Sequence, residues 1–177
     1  MGFTIFLVIF LIFTIVLLLI VSSALLGFVM TRVPFIRTPS RDIERIIRLG
    51  DIREDDTVYD LGSGDGKMVF ALTKHTGARG VGFEQTHWTH LLAIIKNKFL
   101  GNRNLFLRDN FFDHSWQGAT VIYCYLYPPL MRQVGDKIKI DCNPGTRIVV
   151  RDFPIPNLEQ RGYHRDGKHE LFLYVVW

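Results

Sequence analysis

From Gly2 to Thr31 the chain carries no Asp, Glu, Lys or Arg, and most of the run is Phe, Ile, Leu and Val. Roughly 20 such residues cross the hydrocarbon core of a bilayer, so this run is long enough even when tilted. A cleaved signal peptide needs a basic start, a short apolar stretch and a small-residue cleavage site. Here no Lys or Arg precedes Arg32, and Leu25, Leu26, Phe28 and Val29 carry the run past the small residues Ser22, Ser23 and Ala24. A mitochondrial transit peptide is rich in Arg, and this segment has none. A buried core helix is the remaining alternative. The expectation is a single-pass transmembrane anchor over residues 1–31, touching the lipid bilayer through residues 3–30. Arg32, Arg37 and Arg41 follow the span, so the positive-inside rule sets the rest of the chain in the cytoplasm. The same arginines are within reach of anionic head groups.

The 177 residues leave room beyond the anchor for one domain. A net charge of +4 is mild, and the arginines after the span supply part of it. Composition therefore does not call for a nucleic-acid partner. Cys124 and Cys142 lack metal-like spacing and would stay reduced in a cytosol, so they read as structural. His87 and His90 lie one helical turn apart, but no further ligands stand with them, and no metal is expected. Trp116 and Trp177 read as packing residues.

Residues 32–56 read as a connector and an N-terminal helix. Thr38 suits its cap, Pro39 its first turn and Gly50 its exit, with Ile43, Ile46 and Ile47 on one face. From 57 to 177 strands and helices alternate. Strands are expected at 57–60, 80–83, 105–107, 120–125, 147–151 and 171–176, the last paired as a hairpin with residues near Tyr163. One helix runs through Met68, Val69, Leu72 and His75. Thr86 caps another, with Trp88, Leu91, Leu92, Ile95 and Phe99 on one side and Gly101 at its end. A third covers 129–138. This alternation implies a mostly parallel sheet with right-handed crossovers, whose ligand site lies at the carboxyl ends of the strands. A glycine-rich turn, Glu84 and Asp109 all fall at such ends.

The turn reads Asp60-Leu61-Gly62-Ser63-Gly64-Asp65-Gly66. Glycine permits positive φ and lets a ligand approach the backbone. A phosphate loop needs Gly, four residues, then Gly-Lys-Ser/Thr; here Leu61 and Met68 occupy key positions. A dinucleotide fold needs Gly-x-Gly-x-x-Gly, and Lys67 takes the place of its third glycine. An acid at the end of the second strand, Glu84, can accept from both ribose hydroxyls, as in dinucleotide folds. Asp109, followed by Asn110, stands after the third strand, placed to accept from an adenine amino group.

The pattern Asp-x-Gly-x-Gly-x-Gly after a first strand resembles motif I of the class I S-adenosylmethionine-dependent methyltransferases. That resemblance implies an α/β Rossmann-like fold with a mostly parallel sheet and an antiparallel C-terminal strand, here preceded by one transmembrane helix. It implies S-adenosylmethionine as cofactor, held by Asp60, Gly62, Gly64, Gly66, Glu84, Asp109 and Asn110, with Thr38 closing over it. The order of residues 34–39, 58–67, 81–84, 126–131 and 145–154 is similar to the small membrane-anchored protein-lysine methyltransferases. Eukaryotic members of that group act in mitochondria on the c-ring protein of ATP synthase and on the adenine nucleotide translocase, and bacteria hold relatives. The resemblance covers residues 34–156. An N-terminus without mitochondrial targeting character fits a bacterial plasma membrane better.

The resemblance implies methyl transfer to an acceptor, foremost a lysine amine of a membrane-associated protein. In the resembled group the segment after the fourth strand lines the acceptor pocket. Here it carries Tyr125, Tyr127, Pro128 and Pro129, which depart from the group in detail, and the two tyrosines are the candidate pocket residues. A dry aromatic pocket disfavours the charged form of an amine and so supplies the neutral nucleophile. Two alternatives stand beside this reading: an RNA or small-molecule acceptor, and a non-catalytic cofactor-binding membrane module. Lys96, Lys98, Arg103 and Arg108 form a basic cluster that reads as a solvated face or an RNA contact. The anchor weighs against RNA.

Overall fold

The computed structural model describes residues 2–31, 42–167 and 169–177, with helical backbone alone over 23–31. Helix α1 (Gly2–Thr31) is 30 residues long, or about 45 Å at about 1.5 Å per residue. Its large apolar side chains from Phe3 to Val21 stand exposed, and by length and composition Gly2–Ser22 suffices to cross a membrane.

Seven strands form one sheet in the order β3-β2-β1-β4-β5-β7-β6. β1 (Thr57–Leu61), β2 (Arg79–Phe83), β3 (Leu105–Leu107), β4 (Val121–Cys124) and β5 (Arg147–Arg151) are parallel. β7 (His169–Val175) runs antiparallel between β5 and β6 (Gln160–Asp166), the hairpin expected near Tyr163. All four residues of β4 are buried, as a strand covered on both faces requires.

On one face α2 (Ile43–Gly50) and α3 (Lys67–Thr76) bring Ile43, Ile46, Met68 and Leu72 against Val58, Val121 and Val149. On the other, α5 (Met131–Asp141) brings Met131, Val134 and Ile138 against Ile122, Ile148 and Val150, beside the fully buried Trp116. The sheet thus lies between two helical layers, with its carboxyl edge left open for a site.

Three local readings change. Gly50 is the last residue of α2, and Asp51, at φ 44°, takes the left-handed exit instead. Gly50 answers to packing: a Cβ there would lie 2.8 Å from Val149. Trp177 is 80% exposed, with the Arg161 guanidinium over its ring at 4.6 Å, so it is no packing residue. The expected apolar face of α4 (His87–Phe99) does not enter the core. Ala93 is the helix's one buried residue, resting on Val69 and Phe106, while Leu92, Ile95 and Phe99 face outward. β3 is only three residues long and forms the sheet edge, so little sheet is available for α4 to cover. Thr38 and Pro39, expected to open α2, lie outside the described residues.

Candidate active site

β1 carries Asp60 to the carboxyl edge, and the chain then turns through residues 62–66 into α3. All three glycines of the turn have positive φ: 84° at Gly62, 56° at Gly64 and 79° at Gly66, a region costly for other L-residues. Gly66 is doubly constrained, because a Cβ there would lie 2.7 Å from Phe70 and 2.8 Å from Phe106. Hydrogen bonds hold the turn to β2. The amides of Gly62 and Ser63 both donate to the Phe83 carbonyl, at 3.0 and 2.8 Å. The amide of Gly64 donates to Glu84 Oε2 at 2.9 Å, and Glu84 Oε1 accepts from the Thr86 amide at 2.7 Å. Glu84 therefore clamps the glycine turn to the start of α4, and each carboxylate oxygen keeps capacity for a further donor. Asp65 pairs with Lys96 of α4 at 2.6 Å, which anchors the far side of the turn.

Asp60 is 3% exposed. Burial, and next the nearby Glu84 carboxylate, push its pKa up to about 8. Two neighbouring carboxyl groups resist joint ionisation, and a cationic ligand placed between them would restore it.

Asp109 stands exposed after β3. Its carboxylate accepts from the Asn110 amide at 2.9 Å and pairs with His114 Nε2 at 3.0 Å. These contacts, the amide first, hold its pKa below the usual carboxylate range. Asn110 turns its side-chain oxygen to the Phe112 amide at 3.2 Å, capping the short 3-10 helix Phe111–Asp113. The His114 ring lies 5.2 Å from Phe83. Asp60, Glu84 and the glycine turn thus form one wall, and Asp109 and Asn110 occupy the neighbouring loop. Thr38 lies outside the described residues.

The two tyrosines after β4 differ. Tyr125 stacks on Phe153, with centroids 6.1 Å apart, and the Arg151 guanidinium lies 5.2 Å from its ring. Burial, and next a hydrogen bond with Asp152, raise the Tyr125 pKa, so its phenol keeps its proton. Tyr127 is 45% exposed and precedes the Pro128–Leu130 turn, a rim position.

Sequence reasoning passed over the groups beside Tyr125. Asp152 directly follows β5 as Glu84 directly follows β2, with Asp109 one residue further on after β3, and that strand-end acid was the available signal. Its backbone is left-handed, at φ 60°. Its carboxylate accepts from the Glu170 amide at 2.9 Å and pairs with His169 Nδ1 at 3.0 Å. Burial works to raise its pKa, but the Glu170 amide and then His169 outweigh it and leave the pKa low. Arg151, fully buried, pairs with the buried Asp42 and lies 3.4 Å from Asp152 through Nε.

Comparison with known proteins matches residues 60–161 to the model of the ANTKMT methyltransferase domain, a span that contains every described candidate residue. A protein-lysine N-methyltransferase of Saccharolobus islandicus is 28% identical over 81% of this chain and 94% of its own length. An adenine nucleotide translocase lysine N-methyltransferase of Mus musculus is 25% identical over 82% of the chain, which spans only 64% of that relative. Among solved structures, an RNA methyltransferase from Salinibacter ruber in complex with S-adenosyl-L-homocysteine superposes with a TM-score of 0.77. It is 28% identical, with 80% of this chain and 94% of that chain covered.

Proposed function

Since this chain belongs to the ANTKMT methyltransferase domain family and is a methyltransferase that uses S-adenosylmethionine, we propose that its acceptor is a lysine amine on a membrane protein. The carrying observation is that two different walls stand at the carboxyl ends of neighbouring parallel strands, one after β1 and β2 and the other after β4 and β5. One is glycine backbone with Asp60 and Glu84; the other is the Tyr125–Phe153 aromatic pair with Asp152. The names of the archaeal and mouse relatives support lysine, and α1 supports an acceptor held at a bilayer.

The residues present fit the cofactor. It carries a sulfonium and an ammonium, and Asp60 and Glu84 supply anionic oxygens that Asp60's raised pKa marks as short of positive charge. The absent Cβ atoms at Gly62, Gly64 and Gly66 let a ligand lie against the backbone. In this reading Glu84 takes the ribose hydroxyls with its remaining lone pairs, and Asp109 with Asn110 borders the adenine.

When bound, S-adenosylmethionine supplies an electrophilic methyl group on a sulfur that leaves as a neutral thioether, so the reaction needs no general acid. The chain's part is positioning and control of the acceptor's proton. Tyr125 and Phe153 form apolar surface that disfavours an ammonium. Tyr125 stands between Asp152 and the Arg151 guanidinium, and a remaining lone pair on its phenol oxygen can accept from the acceptor nitrogen and so aim it. Asp152, held ionised by the Glu170 amide and then His169, draws the acceptor in as an ammonium; its proton leaves to solvent before attack, and Asp152 faces the positive charge that the nitrogen regains as it takes the methyl group. Residues 57–177 in this reading are the catalytic domain, residues 32–56 the connector and entry helix, and residues 1–31 the anchor that holds the domain at the cytoplasmic face of a bacterial plasma membrane.

A second reading, an RNA acceptor, is favoured by the likeness to the Salinibacter RNA methyltransferase. One experiment separates the two. A host lysate is split into membrane protein, soluble protein and RNA, and each fraction receives a tritiated methyl group from S-adenosylmethionine and the enzyme. A labelled membrane-protein band carrying methyl-lysine, absent with the Asp60→Ala/Glu84→Ala variant, is expected. Label confined to RNA would sink the lysine assignment and keep the cofactor site.

A further inference from the structure

Helix α4 presents an apolar strip that the fold leaves uncovered. Trp88, Leu92, Ile95 and Phe99 recur at spacings of four, three and four residues, which places them on one face. Leu92 is 48% exposed, Ile95 42% and Phe99 87%, and Leu100 and Leu105 continue the exposed patch past the helix end. Beside that end opens a cavity of about 500 Å³, lined by Lys74, Arg79, Arg103, Asn102, Asn104 and Leu100, among others. None of its three cations forms a salt bridge with a carboxylate among the described residues. One acid, Glu54, packs against Gly77 at the cavity wall. Unpaired cations and amide donors suit a phosphate, and the adjoining apolar strip suits hydrocarbon. Helix α1 lies against α4, so whatever bilayer α1 enters is within reach of this face.

We propose that the cavity seats the phosphate of an anionic phospholipid and that α4 lies flat in the membrane interface, with the Leu92–Ile95–Phe99 strip among the upper acyl carbons. Amphipathic helices bind bilayers in this way, and basic residues near an anionic leaflet add to the attraction. Trp88, half-buried at the start of the strip, is of the residue type that favours the interface. The consequence is orientation: α4 begins just after Glu84, so a helix pinned along the bilayer fixes how the active site stands relative to the membrane. This inference rests on the reading of α1 as a membrane span.

The test uses the full chain in nanodiscs of phosphatidylcholine alone or with phosphatidylglycerol. Leu17→Cys on α1, Phe99→Cys on α4 and Ile140→Cys on α5 each carry an environment-sensitive fluorophore; Cys124 and Cys142 are buried. Retained binding of S-adenosylhomocysteine certifies each variant as folded. Spin-labelled lipid should quench positions 17 and 99 and spare 140. Quenching at 99 should be at least threefold stronger with phosphatidylglycerol, and Lys74→Gln/Arg79→Gln/Arg103→Gln should remove that difference. Quenching at 17 without quenching at 99 overturns the docking while the anchor stands. Quenching at neither position overturns both. Loss of the phosphatidylglycerol effect in millimolar inorganic phosphate would make the cavity a free-anion site and overturn the lipid assignment. Self-quenching between labels at 99 without lipid quenching would assign the strip to a second copy.

Discussion

Asp60→Asn isolates the charge logic of the cofactor wall. With a folded-state pKa of about 8, Asp60 is largely protonated at neutral pH, whereas a cationic ligand binds its ionised form. Below the pKa, each pH unit then costs about tenfold in affinity. Between pH 6 and pH 9 the wild-type affinity for S-adenosylmethionine should rise by about a hundredfold from this group. The ligand's own amino group titrates over part of that range, and Asp60→Asn subtracts it, because the variant keeps the shape and loses the titration. The assay is calorimetry on the detergent-solubilised full chain across that pH range, with Asp60→Asn alongside. The same shift acts on folding. Between about pH 4 and pH 8 the folded chain holds a proton that the unfolded chain has released, so stability falls as pH rises through this window. A shift from 3.8 to about 8 bounds that loss at roughly 6 kcal/mol. Asp60→Asn should therefore flatten the decline and raise the ligand-free melting temperature at pH 9. Identical pH slopes of affinity in wild type and variant would refute the reasoning.

Three further outcomes are expected. Arg151→Met strips the buried Asp42 carboxylate of its fully buried partner and leaves it only the Arg45 guanidinium at 3.3 Å among the described residues, and should destabilise the domain by about 3 kcal/mol; urea unfolding followed by tryptophan fluorescence reads it, and adding Asp42→Asn should recover part of the loss. Gly66→Ala meets both a φ of 79° and the Phe70 and Phe106 rings, and should weaken cofactor affinity by more than tenfold in the same calorimetry; an unchanged value would mean the turn lies away from the ligand. Asp152→Asn removes the charge facing Tyr125 and should lower kcat by about tenfold or more with cofactor Kd unchanged, moving the alkaline limb of the pH–rate profile; a loss confined to cofactor affinity would place Asp152 on the other wall.

Local patterns in the sequence determined much of this protein. The charge-free run is a helix of thirty uncharged, mostly apolar residues, long and apolar enough to cross a membrane. The strands, including the terminal hairpin, were legible because alternating apolar strands and helices leave few topologies to choose from. The turn at Asp60 to Gly66 was legible because its backbone geometry is a local property, and glycine is the residue that adopts it cheaply. Glu84 was found as a strand-end acid, though its hold on the Gly64 amide was not foreseen.

What tertiary structure alone decided are relations between distant residues. Arg151 finds Asp42 across 109 positions, and no local pattern encodes that pairing. Asp152 meets His169 only because β7 inserts beside β5. Gly50 looked like a helix exit and is a packing contact, since the Val149 methyl group that excludes a Cβ comes from a strand far along the chain. The apolar face of α4 looked like core because helical periodicity reports that a face is apolar and says nothing of what covers it. That is settled by how much sheet lies beneath the helix, and β3 offers three residues.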